Sequence, residues 1–82
     1  MEWIYFTYRS ITYAQRGEKA LREENISCIL TRTPRWMEKR GCSYALKLNA
    51  GKQLPAQAVL KQQGLPWQKA YVCDERGGVR EL

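Results

Sequence analysis

The sequence predicts an α/β domain of the α+β kind: a βαββαβ sandwich with one four-stranded antiparallel sheet and two helices on one face. Three observations lead there. The chain has 82 residues, enough for one domain spanning 1–82 and no second. It opens on an aromatic and β-branched run. It then alternates stretches of helical spacing with short apolar runs bounded by turn formers.

Residues 3–8, Trp-Ile-Tyr-Phe-Thr-Tyr, form the first strand, with Ile4 and Phe6 on one side. Ser10 supplies an N-cap hydroxyl for a helix over about residues 10–24. Ile11, Ala14, Gly17, Ala20 and Leu21 recur on one face of it, and the small residues at 14, 17 and 20 let it lie close on a sheet. Asn25 stops it. Residues 26–31 read as a second strand and 44–48 as a third. Asn49-Ala50-Gly51 turns into a second helix over about residues 54–63, with Pro55 in its first turn, Ala56, Val59 and Leu60 on its apolar face, and Gly64 closing it. Residues 67–73 give a fourth strand, and Gly77-Gly78 a turn before a short tail. This order predicts a ferredoxin-like sandwich with strand order 4-1-3-2, strands two and four at the edges, and one open sheet face. The fold hosts many functions and decides none.

Composition narrows the chemistry. Fourteen Lys and Arg against eight Asp and Glu give a formal charge of +6, which favours anionic partners, although the signs alternate as on an ordinary solvated surface. Histidine is absent, so no Ser-His or Cys-His pair exists and the commonest metal ligand is missing. Three cysteines at 28, 42 and 73 include no Cys-x-x-Cys spacing, so a zinc site made by this chain alone is not expected. No apolar run approaches the roughly 18 residues of a membrane span, and the start lacks the pattern of a signal peptide. Reduced thiols and a cytoplasmic location are the expectation. A domain this small buries only about 60% of its unfolded surface, so it suits a carrier, binder or subunit better than a self-contained enzyme.

The segment from 32 to 46 concentrates the candidate chemistry. Cys42 sits between loop and strand in Arg40-Gly41-Cys42-Ser43-Tyr44-Ala45-Leu46, with Arg35, Lys39 and Arg40 close in sequence. Cations near a thiol favour the thiolate, which is the nucleophilic form. A cysteine packed as a small hydrophobe under the strand edge is the competing account. Cys28, inside a strand, reads as core. Cys73 is followed by Asp74 and Glu75, whose charge raises a thiol pKa, and no disulfide between Cys42 and Cys73 is expected. Residues 33–41 read as an exposed, mobile loop.

Four runs carry a resemblance: Thr7-Tyr8-Arg9-Ser10-Ile11-Thr12-Tyr13-Ala14, Glu18-Lys19-Ala20-Leu21, Thr33-Pro34-Arg35 and Gly41-Cys42-Ser43-Tyr44-Ala45-Leu46. Through them the chain resembles a family of selenium/sulfur carrier-like proteins over about residues 4–73. Many members read Ser-Ser-Cys-Gly where this chain reads Arg-Gly-Cys-Ser. The resemblance implies that Cys42 is the carrier nucleophile and holds a persulfide or perselenide for transfer between proteins. It implies a binding set of Arg35, Thr33, Pro34, Ser43 and Tyr44 at the matching positions, with Arg40 and Lys39 beside them in sequence, and no cofactor. It implies as partners a sulfur or selenium donor such as a cysteine desulfurase, and an acceptor protein. Two other readings come from the residues alone. One is an RNA-recognition-type module stacking bases on Tyr5 and Tyr44. The other is a protein-interaction subunit that uses the open sheet face, with Trp3, Trp36 and Trp67 as anchors.

Overall fold

The computed structural model describes residues 2–34 and 43–82. Its order is β1 (Trp3–Tyr8), α1 (Ile11–Glu23), β2 (Ile29–Arg32), β3 (Tyr44–Asn49), a 3-10 turn (Ala50–Lys52), α2 (Gln53–Gln62), β4 (Ala70–Cys73) and β5 (Val79–Glu81). The sheet is antiparallel with order β2-β3-β1-β4-β5. The expected 4-1-3-2 arrangement is therefore present, extended by a fifth strand on the β4 side.

Alternation along β1 builds the core. Ile4, Phe6 and Tyr8 turn toward the helices and are buried with Leu46 and Leu48 of β3 and Ala70 and Val72 of β4. Ala14 and Leu21 of α1 and Ala56 and Leu60 of α2 close this layer. Gly17 lets α1 approach: a Cβ there would lie 2.8 Å from Leu46 Cδ1 and 3.3 Å from Leu60 Cδ2.

Both helices end in the same way. Asn25, at φ 61°, donates from its N–H to the Arg22 carbonyl while Ile26 donates to Leu21. Gly64, at φ 67°, donates to Lys61 while Leu65 donates to Leu60. These are Schellman motifs, and each seats a buried apolar residue after the helix against one in its last turn. At the other end of α1 the Ser10 hydroxyl accepts from Thr12 N–H at 3.2 Å.

Three expectations need correction. The second strand begins at Ile29 rather than 26, because the backbone before it serves α1: Ile26 N–H closes the helix and the Cys28 carbonyl accepts from the Arg22 guanidinium at 3.4 Å. The fourth strand begins at Ala70 rather than 67, because Gln68 and Lys69 both face Thr7. Gln68 N–H donates to the Thr7 carbonyl, Lys69 N–H donates to Thr7 Oγ1 at 3.0 Å, and Thr7 N–H donates to the Lys69 carbonyl. Two residues against one is a bulge. The tail is not irregular but forms β5, so β4 is no edge. Asp74 Oδ1 accepts from Arg76 and Gly78 N–H groups, Gly77 adopts φ 82°, and the chain returns along β4.

The second sheet face is not open throughout. Ala45, Thr7 and Tyr71 lie on it and are buried, whereas Ile29 and Val79 toward the two edges are exposed.

Candidate functional site

β2 and β3 define the neck from which residues 34–42 depart. Thr33 N–H donates to the Ser43 carbonyl at 3.0 Å, one step beyond the Arg32 and Tyr44 pair. By alternation Thr33 and Ser43 share the face of Thr31 and Ala45. Both hydroxyls are more than nine-tenths buried and have no hydrogen-bond partner among the described residues. That corrects the expectation of an exposed loop beginning at Thr33. Most buried hydroxyls in proteins are bonded, so a matched unpaired couple marks this neck as unusual.

Pro34 is half-buried. Tyr44 is half-buried too, opposite Tyr8 and Arg32 in register, and packs on the core. Cys42, Arg35, Lys39 and Arg40 fall outside the described residues, as do Trp36 and Met37. Of the predicted binding set the structure thus brings together Thr33, Ser43, Pro34 and Tyr44.

Around this neck stand cations that the sequence did not single out. Arg9 follows β1, Arg32 ends β2 and Lys69 precedes β4, and all three are exposed. With its amide oriented to satisfy both groups, the Gln68 oxygen accepts from Arg9 Nε at 3.0 Å and Nη2 at 3.1 Å. These residues lie far apart in the chain, and only the strand register gathers them.

The two described thiols are held in the neutral form. Cys28 is buried and its Sγ donates to the Glu18 carbonyl at 3.9 Å. Burial pushes its pKa up, the Glu18 charge adds to this, and Arg22 opposes it. Cys73 on β4 is half-buried and is likewise pushed up, first by burial and then by Asp74, against an opposing Lys47. With less thiolate than an ordinary cysteine at pH 7, both should alkylate slowly. In native Cys42→Ser protein, iodoacetamide labelling at pH 7 is expected to run at least about fivefold slower than in the same chain unfolded. Rapid labelling of either thiol, read by peptide mass, contradicts this.

The strand geometry also bears on base stacking. Tyr5 pairs with Lys47 and Tyr71 on the face away from the helices, beside Trp3, whose ring centroid is 4.7 Å from Lys47 Nζ. Tyr44 pairs with Tyr8 and so faces the helices. The two tyrosines stand on opposite faces and cannot make one stacking platform. Among the described residues, no group of three or more Cys, Asp or Glu is placed to hold a metal. No helix among them is long and apolar enough to cross a membrane.

Comparison with known proteins gives one match. The family described as "Putative Se/S carrier protein-like" covers residues 4–72, from the second residue of β1 to the third of β4. No curated protein and no solved structure matches the chain. The family match takes in the core, both helices, the neck and Cys42, and leaves outside residues 1–3, Cys73, and β5 with its turn. On that coverage, the chain belongs to the Se/S carrier protein-like family.

Proposed function

We propose that this protein carries sulfur or selenium between partner proteins, with Cys42 as the attachment point. The observation that supports this most is the family match across 4–72, which contains Cys42 directly beside the buried Ser43 of the neck. The other two cysteines are placed and protonated as structural groups, which leaves Cys42 as the candidate nucleophile.

The chemistry asks little of the fold. The Cys42 thiolate attacks the terminal sulfur of a donor persulfide, such as one formed on a cysteine desulfurase. A bond forms between Cys42 Sγ and that sulfur, the donor's own S–S bond breaks, and the donor departs as a thiolate. An acceptor nucleophile then attacks the same terminal atom and Cys42 leaves as the thiolate. Oxidation level is conserved at each exchange, and selenium follows the same course as a perselenide. Only the thiolate attacks, so cations from Arg35, Lys39 and Arg40 would assist by stabilising it. No cofactor enters this balance.

Intact mass tests the reading. Incubated with a cysteine desulfurase and cysteine, the wild-type chain should gain one sulfur that dithiothreitol removes, and Cys42→Ser should gain none. Equal gain in Cys42→Ser, or none in either protein, refutes the assignment.

A further inference from the structure

We propose that the end of the sheet bearing the Thr33–Ser43 neck is a docking surface for a protein partner with an acidic face. The inference rests on the carrier reading for its purpose, and it adds the chemistry of the surface that a donor or acceptor presents. What carries it is the uneven distribution of the described acidic side chains along the strands.

β1 runs toward the neck and ends at Tyr8, so Arg9 emerges there. β2 runs the same way and ends in Arg32, while Lys69 sits opposite Thr7 as the chain enters β4. The described carboxylates lie elsewhere. Glu18 is midway along α1, and Glu81 lies opposite Tyr71 in the middle row of the sheet. Glu2 precedes β1 at the far end, where its carbonyl accepts from Ala50. Glu23 and Glu24 close α1, whose 13 residues carry the chain about 20 Å from Ser10. Asp74 and Glu75 lie at the far end, where β4 turns into β5. Among the described residues, no acidic side chain stands at the neck end.

Such a molecule has a charge direction as well as a net charge. At the far end Lys52, Arg76 and Arg80 stand among Glu2, Asp74 and Glu75, whereas Arg9, Arg32 and Lys69 have no described acidic side chain beside them, so diffusional encounters with an acidic partner are biased toward the neck end. Because the three cations are exposed, this acts mainly on association rate and weakens with salt. Nucleic acid is the less favoured polyanion. The cations ring the end of the sheet and not its face, and the tyrosines that would stack bases stand on opposite faces.

The test compares two full-length variants of equal net charge. One is Arg9→Glu with Arg32→Glu and Lys69→Glu; the other is Lys52→Glu with Arg76→Glu and Arg80→Glu, all at exposed positions. The probe is a fluorescein-labelled 20-residue (roughly protein-face-sized) poly-glutamate peptide, followed by anisotropy at low salt. The neck-end variant is expected to bind about tenfold or more weakly than wild type, and the control within about threefold. Equal weakening in both overturns the proposal in favour of diffuse net charge. Tighter binding of oligouridine than of the peptide at the same salt overturns it in favour of nucleic acid. Circular dichroism checks folding, and if the triple reversal unfolds, Arg9→Gln with Arg32→Gln and Lys69→Gln must show the same order of affinities. Loading from inorganic tetrasulfide, which needs no docking, separates the two readings. Attack by the Cys42 thiolate gives its persulfide and releases trisulfide. A wild type that fails to load while the peptide result holds removes the carrier reading and leaves the docking surface. Normal loading with equal weakening removes the docking surface alone.

Discussion

Replacing Phe6 by alanine should lower the unfolding free energy by about 3–5 kcal/mol. Phe6 is fully buried at the centre of β1, between Leu46 and Ala70 in register, and its ring centroid lies 4.8 Å from that of Trp67 at an interplanar angle of 51°. Truncation removes apolar area from water's exclusion and leaves a void beneath both helices. The tilted contact with Trp67 is lost as well, worth about 0.5–1.5 kcal/mol beyond area. A domain of this length has about 4–12 kcal/mol of stability in all. Phe6→Ala is therefore expected to be partly unfolded at 37 °C, and urea denaturation against wild type measures the loss. A midpoint within 1 kcal/mol (about the scatter of a surface change) contradicts the central place of Phe6.

The second large effect is steric and concerns Gly17. Glycine inside a helix costs about 0.5–1 kcal/mol relative to alanine, so Gly17→Ala elsewhere would stabilise. Here the new Cβ would stand 2.8 Å from Leu46 Cδ1, and Leu46 is itself fully buried. The contact therefore cancels the helical gain. Valine adds two methyl groups against Leu46 and Leu60 and should destabilise by about 3 kcal/mol, the upper end for overpacking. Thermal unfolding of the two variants reads this directly: alanine near wild type, valine well below. A Gly17→Val protein as stable as wild type would show that α1 does not depend on close approach.

Much of this architecture was legible in the residues, for local reasons. Ser10, Asn25, Pro55 and Gly64 are punctuation whose chemistry acts within one turn, so the helix ends found lie within a residue of those expected. The core face of β1 followed from alternation. What stayed hidden depended on partners distant in sequence. β5 is three exposed residues held by backbone pairing and by the Asp74 turn, with no apolar pattern to announce it. The first residues of the second strand were taken by the Schellman end of α1, and those of the fourth by the Thr7 side chain. At the site, Cys42 stood out from its sequence neighbours. Arg9, Arg32 and Lys69 become one group only through register, and the burial of Thr33 and Ser43 is a tertiary fact that a polar, proline-containing run conceals.

The pairing of Thr33 with Ser43 separates folding from chemistry. The hydrogen bond between them already closes the β2 and β3 pairing, and the core cluster of the described residues is assembled from elements on either side of it. Loop closure costs grow only logarithmically, so doubling the length of chain between the two would cost about 0.6 kcal/mol. Chain inserted between the two is therefore expected to cost the domain little stability through closure alone.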